Sequence, residues 1–436
     1  MFEKRWFRMI VTNVLAFTND FANPLVDDAL VRFENGEITY VGPRREYSIQ
    51  EDEEVVDGEK GLLLPAFCNA HMSIYSSVSS YPLKIIKGYE NGAGYFSNLL
   101  KSGYSKTNEK IAKVSAELAV LKALKSGTVS FSGPIFDCPE VDAEFYRELA
   151  RRYGVNIAVG PVVVKESIES IIERWHEVPR DSNFCPLIYV SELATYDEED
   201  LMKLRDLYSK GINLNLFIFD MKQENDLCLS RWGESLIERL LKNGILVPEC
   251  GIIYGGNLSE TDMDIISNRR IFVTKSIRSE MYAGTFQPNI ADLLGRGMHV
   301  SIGTGFMGTE LIEEAREIVL SERYHKHYDN FVIDYEIRKT LYDNNYKLAQ
   351  RFFGKRTGVI KEGYSADLLL AKPVLDFERL DPELPTVLQL ILKISCESNY
   401  EKVWNTGELI LDKGFPQRIS RKELKDLSRD IKNLEL

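Results

Sequence analysis

Eight short apolar runs, most of them followed by an amphipathic helical stretch, fill the middle of this 436-residue chain and restrict its folding more than any other feature. They are Leu62 to Met72, Thr128 to Ile135, Asn156 to Val164, Pro186 to Leu193, Asn213 to Phe219, Leu246 to Gly255, Ile271 to Ile277 and His299 to Gly305. Short apolar runs bounded by turn residues read as buried strands, and strands alternating with helical patterns read as parallel βαβ units. Between the first two runs, Asn108 to Ser126 carries Ile111, Val114, Leu118, Leu121 and Leu124 at helical spacing, with Gly127 as the stop. Glu199 to Ser209 and Ser235 to Asn243 behave alike, each closing near a Gly. Repeats extending over about 290 residues match the usual size of a (β/α)8 TIM barrel. A doubly wound sheet would offer a Gly-rich fingerprint after its first strand, and the sequence has none there.

The two ends have a different texture. Residues 1–58 hold short alternating runs, MIVTNVLAF, ALVRFENGEITYVG and EEVVDGE, with turn residues at Asn35-Gly36 and Gly42-Pro43. After a helical segment from Tyr335 to Phe353, β texture returns at GVIKEGYSADLLLAKP and KVWNTGELILDKG, and a charged helix starts at Arg421. The expected organisation is therefore 1–58 as the first part of a small β-sandwich, 59–354 as the barrel, and 355–436 as the rest of the sandwich plus the terminal helix.

Composition excludes some classes of function. Fifty-four basic against 66 acidic residues leave a net charge of -12, which argues against a nucleic-acid partner or an anionic membrane, since both favour a basic surface. No apolar stretch approaches the roughly 20 residues of a membrane span. The N-terminus MFEKRWFRMIVTNVLAF alternates instead of carrying a signal core, so a cytoplasmic protein is expected. The six cysteines, Cys68, Cys138, Cys185, Cys228, Cys250 and Cys396, form no CxxC pair and read as reduced and structural. Cys68 and Cys250 lie near strands and could line a cavity, although inert buried thiols are the commoner case.

Histidine is scarce, with five residues: His71, His176, His299, His325 and His327. His71 closes LLLPAFCNAHMS, at the end of the first run, and side chains at the C-terminal ends of barrel strands converge on one cavity. A core histidine satisfied by backbone is the plain alternative. His176 and the pair His325 and His327 fall in helical stretches, where i and i+2 do not face each other, and His299 opens the eighth strand at the barrel's opposite end.

LLLPAFCNAHMS resembles the first-strand motif of the amidohydrolase superfamily, which closes on His-x-His. ELAVLKALKSGTVSFSGP resembles its helix and second strand, VSIGTG its eighth strand, and GVIKEGYSADLLLAKP its return into the sandwich. WGESLIERLLKNGIL, NLSETDMDII and YHKHYDN are similar to the chlorohydrolase and aminohydrolase branch, near aminohydrolases associated with selenium metabolism. The resemblance implies a hydrolase that removes ammonia or chloride from N-heterocycles or cleaves non-peptide carbon-nitrogen bonds. It also implies one divalent cation held by two first-strand histidines, a fifth-strand histidine and an eighth-strand aspartate. Such a metal lowers the pKa of its bound water from 15.7 to about 7. A glutamate after the fifth strand and a histidine on the sixth handle protons.

Carried over residue by residue, the pattern changes at almost every position. His71 matches the first histidine, but the second position is Ser73. In GINLNLFI the fifth-strand histidine position falls on Asn215, with Asn213 two residues earlier and Ile218 at the glutamate position. The sixth-strand histidine position is Tyr254, and the aspartate position is Gly305. One imidazole with neutral oxygens and amides is a poor match for zinc or iron, so neither a metal nor another cofactor is expected. His71, Ser73, Asn215, Tyr254, Lys275 and Gly305 are the candidate pocket residues, and Lys275 is either an anion-binding or basic group at the tip of strand seven or an ordinary exposed lysine. Glu192 and Glu249 are polar partners inside the barrel or solvent-facing residues at its rim.

Three readings stand. The first is a barrel whose metal ligands are mostly replaced, acting without catalysis in binding or assembly. The second is a hydrolase acting on non-peptide carbon-nitrogen bonds that works without metal, or with one held through His71, Glu192, Glu249 or Asp220. The third is a purely structural barrel. The expected partners are a small N-heterocyclic ligand, such as a purine or pyrimidine, and a second copy of the chain.

Overall fold

The computed structural model describes residues 8–77, 108–135, 138–285, 290–325, 333–372, 387, 389–390 and 400–434. From the N-terminal part come strands β1 (Arg8–Phe17), β2 (Leu25–Glu34), β3 (Glu37–Pro43) and β4 (Glu54–Pro65). The barrel strands follow as β5 (Phe67–Asn69), β6 (Thr128–Ile135), β7 (Asn156–Val163), β8 (Phe184–Val190), β9 (Asn213–Ile218), β10 (Gly251–Tyr254), β11 (Phe272–Lys275) and β12 (His299–Ile302). The C-terminal part adds β13 (Leu368–Ala371), β14 (Tyr400–Asn405), β15 (Glu408–Asp412) and β16 (Phe415–Pro416), then the helix Arg421–Lys432.

Strands β5 to β12 pair in sequence order, all parallel, with helices between them: a (β/α)8 TIM barrel. The other strands form the β-sandwich, in the order β16-β15-β14-β13-β4-β1-β2-β3. Its two halves meet where Leu64, Leu63 and Leu62 pair antiparallel with Leu369, Leu370 and Ala371. Val11, Val31, Phe33, Leu63, Leu368, Leu370 and Trp404 make its core.

That pairing corrects the expected first barrel strand. Leu62 to Met72 is two elements, because Pro65 lacks an N–H and fixes its own φ, which ends the β4 ladder. Ala66 N then donates to Asp367 O at 3.0 Å and the chain enters the barrel at Phe67. The N-terminal part of the sandwich thus runs to Pro65, past the expected boundary at residue 58. The sixth strand is also shorter than Leu246 to Gly255, since Cys250 N bonds back to Val247 O at 2.9 Å in a turn that spans Pro248. Asn108 caps its helix, Glu109–Lys125, by accepting from Ile111 N.

A buried polar patch joins the bottom of the barrel to the sandwich. Asn156 Nδ2 donates to Ser130 Oγ at 2.8 Å and Asn405 Oδ1 at 3.3 Å, while its Oδ1 accepts from Asn183 Nδ2 at 2.8 Å. Asn405 Nδ2 in turn donates to Gly154 O at 2.7 Å. Asn156→Ala leaves buried polar partners unmatched, and each such loss costs about 1–3 kcal/mol. A urea midpoint lowered accordingly is the expected result, and an unchanged midpoint would show that the patch does not join the two units. The five described cysteines are buried, and burial pushes the Cys250 thiol up to about 12 and Cys68 higher still, so neither behaves as a reactive group. Cys396 and His327 lie outside the described residues.

Candidate functional site

Asn69 links the first barrel strand to the end of the last. Its Nδ2 donates to Thr304 Oγ1 at 2.9 Å, and its Oδ1 accepts from Thr304 N at 3.2 Å and His71 N at 3.3 Å. Beyond it Gly305 N donates to His71 O at 2.9 Å and Ser73 N to Gly305 O at 2.7 Å. His71, Ser73 and Gly305 therefore share the seam at the mouth.

His71 is buried at 1% exposure among aromatic rings. Tyr189, Phe217 and Tyr254 have ring centroids 6.2, 5.8 and 5.6 Å from its own, the last two edge-on. Phe217 stacks on Phe219 at 5.5 Å and 9°, and Phe219 on Tyr254 at 5.3 Å and 30°. Nε2 lies 3.4 Å from Tyr254 Oη, and Nδ1 has no hydrogen-bond partner. Burial pushes the imidazole down to about 3, so the ring is neutral at any ordinary pH. Burial likewise raises the Tyr254 and Tyr189 phenols, which keep their protons.

This geometry shifts the fifth-strand assignment. Side chains at Asn213, Asn215 and Phe217 share one face of β9, but the one level with His71 is Phe217. Asn215 lies two residues, about 6.6 Å, deeper, against Gly251 and beside Tyr189. A two-residue shift also moves the position three residues on from Ile218 to Asp220, which caps the helix Met221–Trp232 by accepting from Lys222 N at 3.0 Å and Gln223 N at 3.3 Å. The Asp220 cap at the start of that helix was the available signal.

Lys275 is neither exposed nor open to a ligand. Wholly buried at the end of β11, it donates from Nζ to Tyr254 O at 2.8 Å and pairs with Glu280 Oε2 at 2.5 Å. Glu280, from the helix Ile277–Ala283, also accepts from Ser276 N at 2.8 Å. Burial raises its carboxyl, with Lys275 pulling the other way. Next to it Arg278 Nε holds Glu314 at 2.6 Å, and burial lifts that carboxyl to about 7 against the pull of Arg278. Tyr254, whose carbonyl Lys275 binds, has a left-handed φ of 74°, a conformation costly for a bulky residue.

Gly305 also has a left-handed φ, 56°, and its surroundings are filled. A Cβ there would lie 2.3 Å from Ser279 Oγ, 2.9 Å from Ser279 Cβ and 3.0 Å from Ser276 Cβ. Ser279 Oγ is fixed by Thr304 O at 3.2 Å and Phe306 N at 3.0 Å. The donor set is thus one neutral imidazole facing a phenylalanine ring and a glycine with no room for a side chain, which does not fit a tetrahedral zinc centre. Among the described residues no group of three or more His, Cys, Asp or Glu is disposed to hold a metal ion. Glu249 is exposed, while Glu192 is half-buried after β8. His176 ends a helix with Nδ1 against Ile172 O and Glu173 O, at 3.0 and 2.8 Å.

The model of the Amidohydrolase family matches residues 62–410. A 5'-deoxyadenosine deaminase of Methanopyrus kandleri is 23% identical over 421 residues, covering 93% of this chain and 95% of that protein. Among solved structures, an adenosine deaminase from Xanthomonas campestris with bound zinc superposes with a TM-score of 0.80 at 16% identity, covering 98% and 99% of the two chains. An atrazine chlorohydrolase from Arthrobacter aurescens complexed with zinc gives 0.79 at 15% identity, covering 97% and 100%. At these identities the structural likeness carries the fold.

Proposed function

Because the chain belongs to the amidohydrolase family, we propose that it keeps the family's barrel without metal-activated hydrolysis and serves in binding or assembly. The observation that carries this reading is the Phe217 ring, 5.8 Å from His71 and edge-on to it, at the level where a histidine donor is required. Phenylalanine offers no lone pair, Ser73 offers only a neutral oxygen, and Gly305 offers nothing, so three of four donors fall away together. The aromatic column suits a small N-heterocycle stacked at the mouth, and a second copy of the chain is the expected assembly partner. Purified protein is expected to carry substoichiometric zinc, iron and manganese by elemental analysis, and to release no ammonia from adenosine or 5'-deoxyadenosine. Stoichiometric metal, or turnover lost on chelation, would overturn the proposal.

A specific observation favours a second reading, a deaminase-type hydrolase with an atypical site. The relatives compared are named deaminases, and Asp220 places a carboxylate three residues after Phe217, the spacing of the proton-handling group. On that reading ammonia release survives chelation and is lost in Asp220→Asn, a change that keeps the helix cap. The same release assay separates the two.

A further inference from the structure

The end of the barrel opposite the mouth gathers cations around one imidazole. Strands β11 and β12 begin side by side, so Phe272 and His299 are in register and their rings meet edge-on with centroids 5.0 Å apart. The Arg351 guanidinium, from the helix Asn345–Phe353, lies 4.6 Å from the centre of the same Phe272 ring. Lys347 stands one turn earlier on that helix and shares its face with Arg351. Arg270, in a left-handed backbone with φ 56°, turns the chain into β11. His299 is half-buried, and its Nδ1 is buried without a hydrogen-bond partner.

These groups face one another without matching charge. Burial, and after it Lys347, Arg351, Lys339 and Arg270, push the His299 imidazole down, so four cations surround one neutral ring. Lys339 is matched to Asp343 at 3.3 Å. Among the described residues no salt bridge reaches Arg270, Lys347 or Arg351. The acidic groups facing Arg351 are the exposed Glu249 and the side chains of Cys250 and Tyr208, and Asp343 faces Lys347 from its pair with Lys339. In a chain of net charge -12, carboxylates outnumber cations, yet three unpaired cations collect at this one place. Basic side chains on a surface are ordinarily solvated and need no ligand. A buried imidazole nitrogen among them does need a partner, because buried polar atoms are normally hydrogen-bonded.

We propose that this end of the barrel binds a phosphate group, with His299 Nδ1 and Arg351 beside Phe272 as the floor of the site and Lys347 and Arg270 as its rim. A neutral imidazole with its proton on Nδ1 donates to an anion without adding charge. A carboxylate would match one of the three unpaired cations, whereas a phosphate group carries nearly two charges and several acceptor oxygens, which suits a guanidinium and two further cations together. The site is independent of the reading of the mouth, so metal or turnover found there would leave it standing. The test is calorimetric titration of the full chain with inorganic phosphate at neutral pH and about 0.15 M chloride, together with 15N-histidine spectra of the same samples. Saturable binding with a Kd below about 1 mM is expected, with the His299 ring resonances moving and those of His71 staying in place. Arg351→Gln is expected to weaken binding about tenfold, and the double variant Lys347→Gln with Arg270→Gln, at two exposed positions, by a similar factor; the double variant carries the comparison should Arg351→Gln fail to fold. No saturation by about 10 mM phosphate, unmoved His299 resonances, or unchanged affinity in the double variant would overturn the proposal. Glycerol phosphate separates the sources of the group: tighter binding than inorganic phosphate supports a phosphorylated small molecule as the ligand, and weaker binding supports the free anion.

Discussion

Replacing Lys275 with methionine is expected to destabilise the barrel by about 3–5 kcal/mol, the range seen when one member of a buried ion pair is removed. The native pair is fully enclosed, with Nζ 2.5 Å from Glu280 Oε2, so the variant leaves a buried carboxyl with no cation beside it. Glu280 must then hold its proton for the fold to persist. Its carboxyl is raised in the native chain by burial and lowered only by Lys275 and two hydrogen bonds, so removing Lys275 raises it further. A carboxyl raised on folding contributes stability that fades as pH climbs, so the loss in Lys275→Met should be smaller at pH 5 than at pH 8. Urea unfolding at the two values measures this. The double variant Lys275→Met with Glu280→Leu is expected to recover most of the loss, because two apolar groups replace two charges at once. A single variant within 1 kcal/mol of native would mean that the pair is not anchored as described.

The pair matters beyond stability because of where it lies. Lys275 binds the carbonyl of Tyr254, the residue whose phenol is 3.4 Å from His71, so a protein cation buttresses the imidazole's neighbour. The Arg278–Glu314 pair continues this network toward the helix Leu311–His325. Lys275 and Arg278 are each already matched to a carboxylate, Glu280 and Glu314.

The barrel was legible because strand and helix periodicities alternate eight times, and each βαβ unit has one favourable way to pack. The division at Pro65 was hidden, since Leu62, Leu63 and Leu64 are as apolar as a barrel strand and only their partners, Leu369 to Ala371, place them in the sandwich. Within the site, His71, Ser73 and Gly305 were placed by a motif with fixed spacing along one seam. The fifth strand has no such marker: Asn213, Asn215 and Phe217 share a face, and a period of two cannot say which stands level with His71. Lys275 misled for another reason. A lysine is ordinarily exposed, and its carboxylate lies five residues on, across the start of a short helix, where no pairing rule for helices or strands would find it.

Restoring an aspartate at position 305 is expected to damage the fold and not to create a metal centre. Gly305→Asp introduces a Cβ 2.3 Å from Ser279 Oγ and 3.0 Å from Ser276 Cβ, at a φ of 56°. Overpacking of this kind costs about 1–3 kcal/mol, and a left-handed non-glycine backbone adds about 1 kcal/mol or more. Ser279 cannot simply rotate away, because its Oγ bonds Thr304 O and Phe306 N. The expected result is a loss of about 2–5 kcal/mol in urea unfolding, with partial relief when Ser279→Ala removes the colliding oxygen. Zinc should remain substoichiometric even in the triple variant Ser73→His, Phe217→His and Gly305→Asp, since a ligand shell needs donors held in place as well as present. Stoichiometric zinc in that variant with stability unchanged would show that the seam between β5 and β12 still has the shape of a metal site, and that the replaced side chains are all that separates this barrel from a hydrolase.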